Sequence, residues 1–290
     1  MPDGPSRTAE YVAMFRAVES ARAERDRLFD DPYAECFLDG KLKVGARLSG
    51  NRAGQRLVCS YIDRNWPGSR PSAVIRTKLI DDSVSAALEG GAGQVAILGA
   101  GYDTRGLRLP AAMSVPVFEL DQPPTQERKK SRLVERDGVL PENVTYVPFD
   151  LLEEGVGMPL ERAGFGTGRR SVFIWEGVLS YLTPEAVDST LEWISGTGAT
   201  GSRLVFTYVD VALLRESGDG QPPWSAQVAR VGEPFRYGLD PATIETFLGD
   251  RGLRLIWDES TAEALSRETR IRGGGNAPSF YRVAEAEVGL

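Results

Sequence analysis

Short apolar runs alternate with helical stretches from about residue 71 onward. Seven strands are predicted in these runs, at 94–98, 115–120, 143–149, 171–176, 203–209, 253–258 and 279–286. Helices are predicted in the gaps at about 74–89, 104–108, 122–137, 184–195 and 240–249. Such alternation is typical of a parallel sheet with crossover helices, so the pattern predicts an α/β fold.

The first seventy residues show no convincing strand pattern. Tyr11, Phe15 and Val18 recur at helical spacing, which predicts a helix running to about Leu28, before the helix-breaking Asp31-Pro32 pair. The same patterns predict further helices at 41–48 and 52–65, a helical cap over 1–70 and a core domain over 71–290.

Two segments near the C-terminal side depart from the regular alternation. Residues 259–277 are polar and glycine-rich without a clear crossover helix, so the last strand is expected to run antiparallel to the others. Residues 210–239 form a long insertion at a strand end and carry aromatic and arginine side chains. We expect this insertion to be a lid that faces the substrate.

Composition narrows the class of protein. Hydrophobic residues make up 41% of the 290 residues and charged residues 26%, which are ordinary values for a folded globular chain. No apolar stretch reaches the ~20 residues of a membrane helix, and the first residues lack the pattern of a secretory signal, so a cytoplasmic protein without membrane association is expected. The net charge of −7 argues against nucleic acid as a partner.

The chemistry-bearing residue types are also restricted. The chain has no histidine, which excludes Ser-His-Asp and Cys-His catalysis and histidine-ligated metals. Its two cysteines, Cys36 and Cys59, form no metal-binding or disulfide pattern. We therefore expect no metal site.

The clearest local signal is the segment VAILGAGYDTRGLRL, a strand followed by Gly99 and Gly101 and then a helix start. Glycines at this place let the backbone approach a ligand at the carboxyl edge of a sheet. A dinucleotide fingerprint would have a third glycine where this chain has Thr104. Asp121 ends the next strand 22 residues after Gly99, near the spacing at which an acid reaches ribose hydroxyls, but Glu119 points to the same face and spacing alone does not choose between them.

Three further charged residues lie where ligands bind in α/β proteins. Arg76 falls on the apolar face of its predicted helix and needs an anionic partner, which could be a ligand carboxylate or an internal salt bridge. Asp150 and Glu176 end the third and fourth strands, where each could contact a ligand or instead cap a helix or turn.

Taken together, the segments RLFDDPYAECFL, IRTKLIDD, LGAGYDTRGLRL, FELDQP, FDL and WEGVLSYLTPE resemble the leucine carboxyl methyltransferase type of S-adenosylmethionine-dependent methyltransferases, including bacterial relatives that O-methylate small natural products. The resemblance implies a Rossmann-like class I methyltransferase fold and S-adenosyl-L-methionine as cofactor, with S-adenosyl-L-homocysteine as product. It implies that Arg76 holds the methionyl carboxylate and that Gly99 and Gly101 lie beside the cofactor. It also implies that Asp121 holds the ribose, that Asp150 and Leu151 hold the adenine, and that Glu176 lies on the methionyl side.

The sequence thus predicts O-methylation of a small-molecule acceptor. A carboxylate acceptor is favoured over a phenol or other hydroxyl because a carboxylate is already ionised and needs no base, and the chain has no histidine. Tyr181, Arg230 and Arg236 are the candidate acceptor contacts. Two other classes stay open at this point: a non-catalytic S-adenosylmethionine-binding module, and a nicotinamide-dependent oxidoreductase, for which a glycine is expected at position 104.

Overall fold

The structure is a computed structural model that describes residues 4–151, 156–215, 235–270 and 276–289. Its helices are α1 (Arg7–Ser20), α2 (Gly40–Leu48), α3 (Arg52–Asn65), α4 (Ser69–Glu89), α5 (Arg105–Arg108), α6 (Pro110–Met113), α7 (Pro123–Asp137), α8 (Gly157–Arg162), α9 (Pro184–Thr197), α10 (Ala212–Arg215), α11 (Ile244–Gly249) and α12 (Thr261–Arg267), with 3-10 turns at Ala34–Phe37 and Leu179–Tyr181. Its strands are β1 (Val95–Leu98), β2 (Val117–Asp121), β3 (Val144–Pro148), β4 (Val172–Trp175), β5 (Arg203–Val209), β6 (Leu253–Ser260) and β7 (Tyr281–Val288).

The seven strands of the described ranges form one sheet in the order β3-β2-β1-β4-β5-β7-β6. Strands β1 to β5 pair in parallel, and β7 lies antiparallel between β5 and β6. The predicted mostly parallel sheet with an antiparallel last strand is therefore confirmed. Because the strand order changes direction at β1, the chain leaves a crevice between the carboxyl ends of β1 and β4, where open α/β sheets bind ligands.

The central strands are buried on both faces, which explains their continuous apolar sequence. Val95 and Ile97 of β1 pack into one cluster with side chains of α1 and α4. Ala96 and Leu98 point to the opposite face and pack with side chains of α9 and α11. Helices on both faces of a parallel sheet are the reason why such strands show no polar alternation.

The prediction that the first helix runs to about Leu28 is wrong, because α1 ends at Ser20. The buried carboxylate of Glu19 accepts the backbone N–H of Leu28 (2.8 Å) and two bonds from Arg22 (3.0 Å each). These bonds hold residues 21–28 as a compact turn folded back on the end of the helix.

Two other helix predictions differ from the structure. A helix, α12, does lie between the last two strands, and it begins with a capping box in which Ser260 and Glu263 bond each other's backbone N–H groups. The Ser-x-x-Glu spacing that signals this cap is present in the sequence, but the polar surroundings hid it. Helix α4 begins at Ser69, earlier than predicted, since Pro71 fits in a first turn whose N–H groups have no helical partner.

The 210–239 insertion is only partly within the described residues, which include 210–215 and 235–239, so its role as a lid stays a prediction. The boundary at residue 70 between a helical cap and a core domain also stays a prediction. No helix in the described ranges combines the length and apolar character needed to cross a bilayer.

A buried ion pair joins β2 to helix α7. Glu119 and Lys129 are each 1% exposed, and Lys129 Nζ lies 2.6 Å from Glu119 Oε2 and 2.5 Å from the carbonyl oxygen of Asp103. Burial raises the pKa of Glu119 to about 7, although Lys129 opposes the shift. The pair thus fixes α7 against the sheet and leaves Glu119 sensitive to pH near neutrality.

We expect Lys129→Met to destabilise the fold by about 3–5 kcal/mol, since it leaves a buried carboxylate without its cation. A carboxyl group whose folded pKa is raised favours folding at low pH, and that contribution is lost as pH rises through the folded pKa. The loss in Lys129→Met should therefore be larger at about pH 8 than at about pH 5. Urea denaturation measures both values. The double variant Glu119→Leu/Lys129→Met should recover most of the stability, and an equal loss in both variants would contradict this account.

Candidate active site

A cavity of about 660 Å³ opens at the carboxyl ends of the parallel strands. Its walls come from the turns after β1, β2, β3 and β4, from helices α1 and α4, and from the segments around residues 236 and 281. The sequence-predicted residues that line it are Arg76, Gly99, Gly101, Asp121, Asp150, Leu151, Glu176, Tyr181 and Arg236. Arg230 lies outside the described residues.

The turn after β1 requires glycine at its first position. Gly99 has a φ of +70°, and a Cβ atom there would lie 2.4 Å from Val178 Cγ2. Gly101 also has a positive φ, of +48°, and donates its backbone N–H to Asp121. The glycines therefore bring the backbone to the cavity surface without side chains in the way.

The two acids of β2 differ in their position relative to the cavity. Asp121 lines the cavity and accepts the backbone N–H groups of Gly101 and Gln122, the second at 2.7 Å. Burial raises the pKa of Asp121, and these two N–H bonds offset part of that shift. Glu119 is withdrawn into the pair with Lys129 and is absent from the cavity wall that the structure describes.

Asp150 and Leu151 follow β3 on the same side of the cavity as Asp121. The Gln122 side chain joins the two acids, because its Nε2 donates to Asp150 Oδ2 at 2.9 Å while its backbone N–H donates to Asp121. Leu151 is buried and supplies an apolar wall. This end of the cavity thus combines two carboxylates with an apolar surface.

The opposite end is built around Glu176, which follows β4. Arg76 Nε donates to Glu176 Oε1 at 2.8 Å, and Arg105 Nη1 donates to Glu176 Oε2 at 2.7 Å. Burial by itself would raise the pKa of Glu176, but the two arginines outweigh it and lower the pKa to about 2. The internal salt bridge considered for Arg76 therefore exists, and Arg76 lines the cavity as well.

Beneath the cavity, the two arginines at Glu176 belong to a larger buried network. Arg105 also contacts Asp81 and Asp103, and Arg108 contacts Asp81 at 2.7 Å. The motifs named above contain these residues, but the sequence analysis assigned them no role. The sequence feature that points to a buried ion-pair network is the concentration of acids and arginines in two otherwise apolar segments.

The network reaches the N-terminal part of the chain through Asp31. Arg16 Nε donates to Asp31 Oδ2 at 2.8 Å, and Arg16 Nη2 bonds the carbonyl oxygen of Tyr102 at 2.5 Å. The hydroxyl of Thr104 donates to Asp31 Oδ2, also at 2.8 Å. Position 104, where a dinucleotide fingerprint would have glycine, thus serves to hold helix α1 over the glycine turn.

Tyr181 and Arg236 lie on a further wall of the cavity. The backbone N–H of Arg236 donates to the carbonyl of Ser180 at 2.7 Å, and the rings of Tyr181 and Phe235 stack with centroids 5.5 Å apart. The guanidinium of Arg236 has no acid partner among the residues that the structure describes. Phe235 is one of the aromatic residues of the insertion that the sequence predicts to face the substrate, whereas Tyr11 and Trp66 were given no site role because neither belongs to a motif.

The sheet order and the cavity at its switch point define the Rossmann-like class I methyltransferase fold. A structure from Thermobifida fusca that carries the name of a methyltransferase aligns with a TM-score of 0.58 and 21% identity, covering 94% of this chain and 97% of that one. A DUF574 family protein from Streptomyces avermitilis aligns with a TM-score of 0.59 and 16% identity, over 93% and 99% of the two chains. Both similarities establish the fold.

Sequence comparison gives the family. The leucine carboxyl methyltransferase model matches residues 9–195. A Mycobacterium sp. (strain KMS) protein named as an S-adenosyl-L-methionine-dependent methyltransferase is 34% identical over 94% of this chain and 91% of its own length. A Frankia alni protein with the same kind of name is 36% identical over 71% of this chain and 69% of its own length. The chain therefore belongs to the leucine carboxyl methyltransferase family, and its cofactor is S-adenosyl-L-methionine.

We expect Glu176→Gln to reveal the stabilising effect of the two arginines on this carboxylate. Because the folded pKa of Glu176 lies below its ordinary value of 4.5, its contribution to stability is present above about pH 4.5 and is lost as pH falls toward about 2. The variant should lose about 3 kcal/mol at neutral pH and should be less sensitive to acid than the unmodified protein. Urea denaturation between about pH 2.5 and 7 tests this, with the exposed Glu127→Gln as control. Parallel acid curves for the Glu176 variant and the unmodified protein would contradict it.

Proposed function

We propose that the protein transfers the methyl group of S-adenosyl-L-methionine to a carboxylate oxygen of a small-molecule acceptor, forming a methyl ester. The observation that carries the proposal is the state of Glu176, the acid at the Arg76 end of the cavity. Two arginines hold it ionised with a pKa of about 2, so it is a poor base for removing a proton from a hydroxyl acceptor.

The chemistry of the lining fits the cofactor. Arg76 would hold the methionyl carboxylate, with Gly99 beneath the methionyl group and Glu176 beside it. Asp121 would hold the ribose hydroxyls, and Asp150 with Leu151 would hold the adenine. The ligand has no phosphate, which fits the presence of Thr104 in place of a third glycine.

When bound, the cofactor supplies an electrophilic methyl group on a sulfonium sulfur. The chain's own contribution is then orientation and exclusion of water, because an in-line displacement on carbon needs the acceptor oxygen roughly 3–3.5 Å from the methyl group. Helix α1 supports this role, since Tyr11, Val12 and Arg16 line the cavity opposite the strand ends.

Tyr102 in the cavity lining is also unsuited as a base. Burial raises the pKa of Tyr102 to about 12, which keeps its hydroxyl protonated at neutral pH. The described lining contains no lysine, and the chain contains no histidine. An acceptor carboxylate, with an ordinary pKa near ~4, is already a nucleophile under these conditions.

Arg236 supplies a suitable anchor for such an acceptor. Arg236 lines the cavity, whereas Arg16 and Arg76 are engaged with Asp31 and Glu176. An arginine can bind a carboxylate through two parallel hydrogen bonds. We therefore assign Arg236 to the acceptor and Arg76 to the cofactor.

Asp121→Ala should weaken binding of S-adenosyl-L-homocysteine by about 1–3 kcal/mol, because hydrogen bonds from ligand hydroxyls to a carboxylate are lost. Calorimetric titration measures the change, and a thermal melt checks that the variant is folded. Glu127→Ala, an exposed acid on α7, is the matched control and should bind normally. An unchanged affinity in folded Asp121→Ala would remove Asp121 from the cofactor site.

The pH profile separates a carboxylate acceptor from a hydroxyl acceptor. With a carboxylate acceptor, kcat/KM should be nearly constant between about pH 6 and 9, because the nucleophile is ionised throughout. Transfer from methyl-labelled cofactor to a panel of small acids and phenols provides the measurement. A tenfold rise per pH unit would show that a proton must leave first, and the carboxylate assignment would then fail. Cofactor binding without transfer to any acceptor would instead indicate a binding module.

A further inference from the structure

We propose that the acceptor carries a planar aromatic ring system on its carboxylate, and that four ring side chains bind it: Tyr11 and Trp66 from the N-terminal helices, and Tyr181 and Phe235 from the loops beyond the strand ends. This inference rests on the proposed function for the carboxylate, while the ring site is argued from separate contacts. All four rings line the same cavity as Arg236.

The first ring pair is held in place by backbone hydrogen bonds. Tyr181 and Phe235 stack with centroids 5.5 Å apart and planes 29° apart. The N–H groups of Arg236 and Tyr237 both donate to the carbonyl of Ser180, at 2.7 and 3.2 Å. These bonds tie the segment that follows Phe235 to the turn that carries Tyr181, so this ring surface is preformed.

The second ring pair lies where helix α3 ends. Trp66 caps α3, and its ring lies 5.9 Å from Tyr11 of α1 and 6.1 Å from Tyr61 of α3. Tyr61 also lines the cavity and is 62% exposed. Aromatic side chains from two helices therefore present one continuous apolar wall.

The position of both pairs favours the acceptor over the cofactor. On α4, Ser69, Ser72 and Arg76 line the cavity at helical spacing, so Ser69, three residues after Trp66, lies about two turns, or roughly 10 Å, from Arg76 along that wall. Arg76 also lies over the Tyr281 ring, at 5.2 Å, and Tyr281 shares a hydrophobic cluster with Phe235. Tyr281 therefore connects Phe235 to Arg76, and the start of α4 connects Trp66 to Arg76, so both ring pairs are joined to the Arg76 end of the cavity.

The four rings differ from core residues in their exposure. Tyr11, Trp66, Tyr181 and Phe235 are all only partly buried, although each has a large aromatic side chain. Partly exposed rings around a cavity bind planar ligands by stacking and edge contacts, which add to the gain from buried area. A saturated ring of the same size would bury a similar apolar area but would make no stacking or edge contacts with the aromatic side chains.

The test compares binding of three probes to the protein saturated with S-adenosyl-L-homocysteine, by calorimetry: 2-naphthoate, its saturated analogue decahydro-2-naphthoate, and 2-naphthol. We expect 2-naphthoate to bind about tenfold more tightly than the saturated acid, from two favourable ring contacts. Equal affinity of the two acids, or no binding of either naphthalene compound, would overturn the ring proposal. If 2-naphthol binds as tightly as 2-naphthoate, the ring site stands and the carboxylate assignment fails.

Variants locate the effect. Trp66→Leu and Phe235→Leu should each weaken 2-naphthoate binding by about fivefold and leave the saturated acid nearly unchanged. Leu57→Ala, at a 68% exposed position on α3, is the matched control and should change neither affinity. Affinity for S-adenosyl-L-homocysteine reports whether each variant is folded. Unchanged naphthoate binding in both folded variants would show that these rings do not contact the acceptor. If a variant does not fold, the comparison of the three probes on the unmodified protein decides the proposal.

Discussion

The burial of Arg105 is the constraint on which the rest of the site depends. Its side chain is 3% exposed and contacts Asp81, Asp103 and Glu176, which come from α4, the glycine turn and the end of β4. A buried guanidinium must be surrounded by acids to offset its desolvation, so these three segments are forced together beneath the cavity. The network as a whole is neutral among the described residues, with four arginines (Arg16, Arg76, Arg105, Arg108) and four acids (Asp31, Asp81, Asp103, Glu176).

One acid of this network contacts both a buried arginine and an arginine that lines the cavity. Glu176 accepts a hydrogen bond from Arg105 beneath the cavity and orients Arg76 at the cavity surface. Since Glu176 is shared by two arginines, it holds the position of the Arg76 guanidinium. Arg236 forms no ion pair with this network among the described residues, which is why we propose it as the anchor for a substrate anion.

The sequence predicted the sheet well because burial on both faces leaves a local signature. All seven strands lie within a few residues of their apolar runs, and the glycine turn with its strand-end acid was located by spacing. Spacing could not separate Glu119 from Asp121, since residues two apart on a strand point to one face. The structure separates them through Lys129, whose approach depends on how α7 packs and not on any local pattern.

The other differences between the predictions and the structure also arise from contacts that no local sequence pattern shows. The end of α1 is set by Glu19 reaching Leu28, and the aromatic wall by residues as distant as Tyr11 and Phe235. The family match, over residues 9–195, does not include Phe235 or Arg236. The cavity-lining residues that belong to motifs could therefore be predicted, whereas the positions of Tyr11 and Trp66 on the same wall required coordinates.

The position of β7 has a consequence for how the chain folds. β7 follows β6 in sequence but lies between β5 and β6, and in the described residues β6 pairs with β7 alone. During synthesis, β6 would emerge with its partner still unmade, so the sheet cannot be completed in chain order. The edge of β5 must stay open until β7 inserts and recruits β6, which makes this long-range antiparallel pairing a late step of folding.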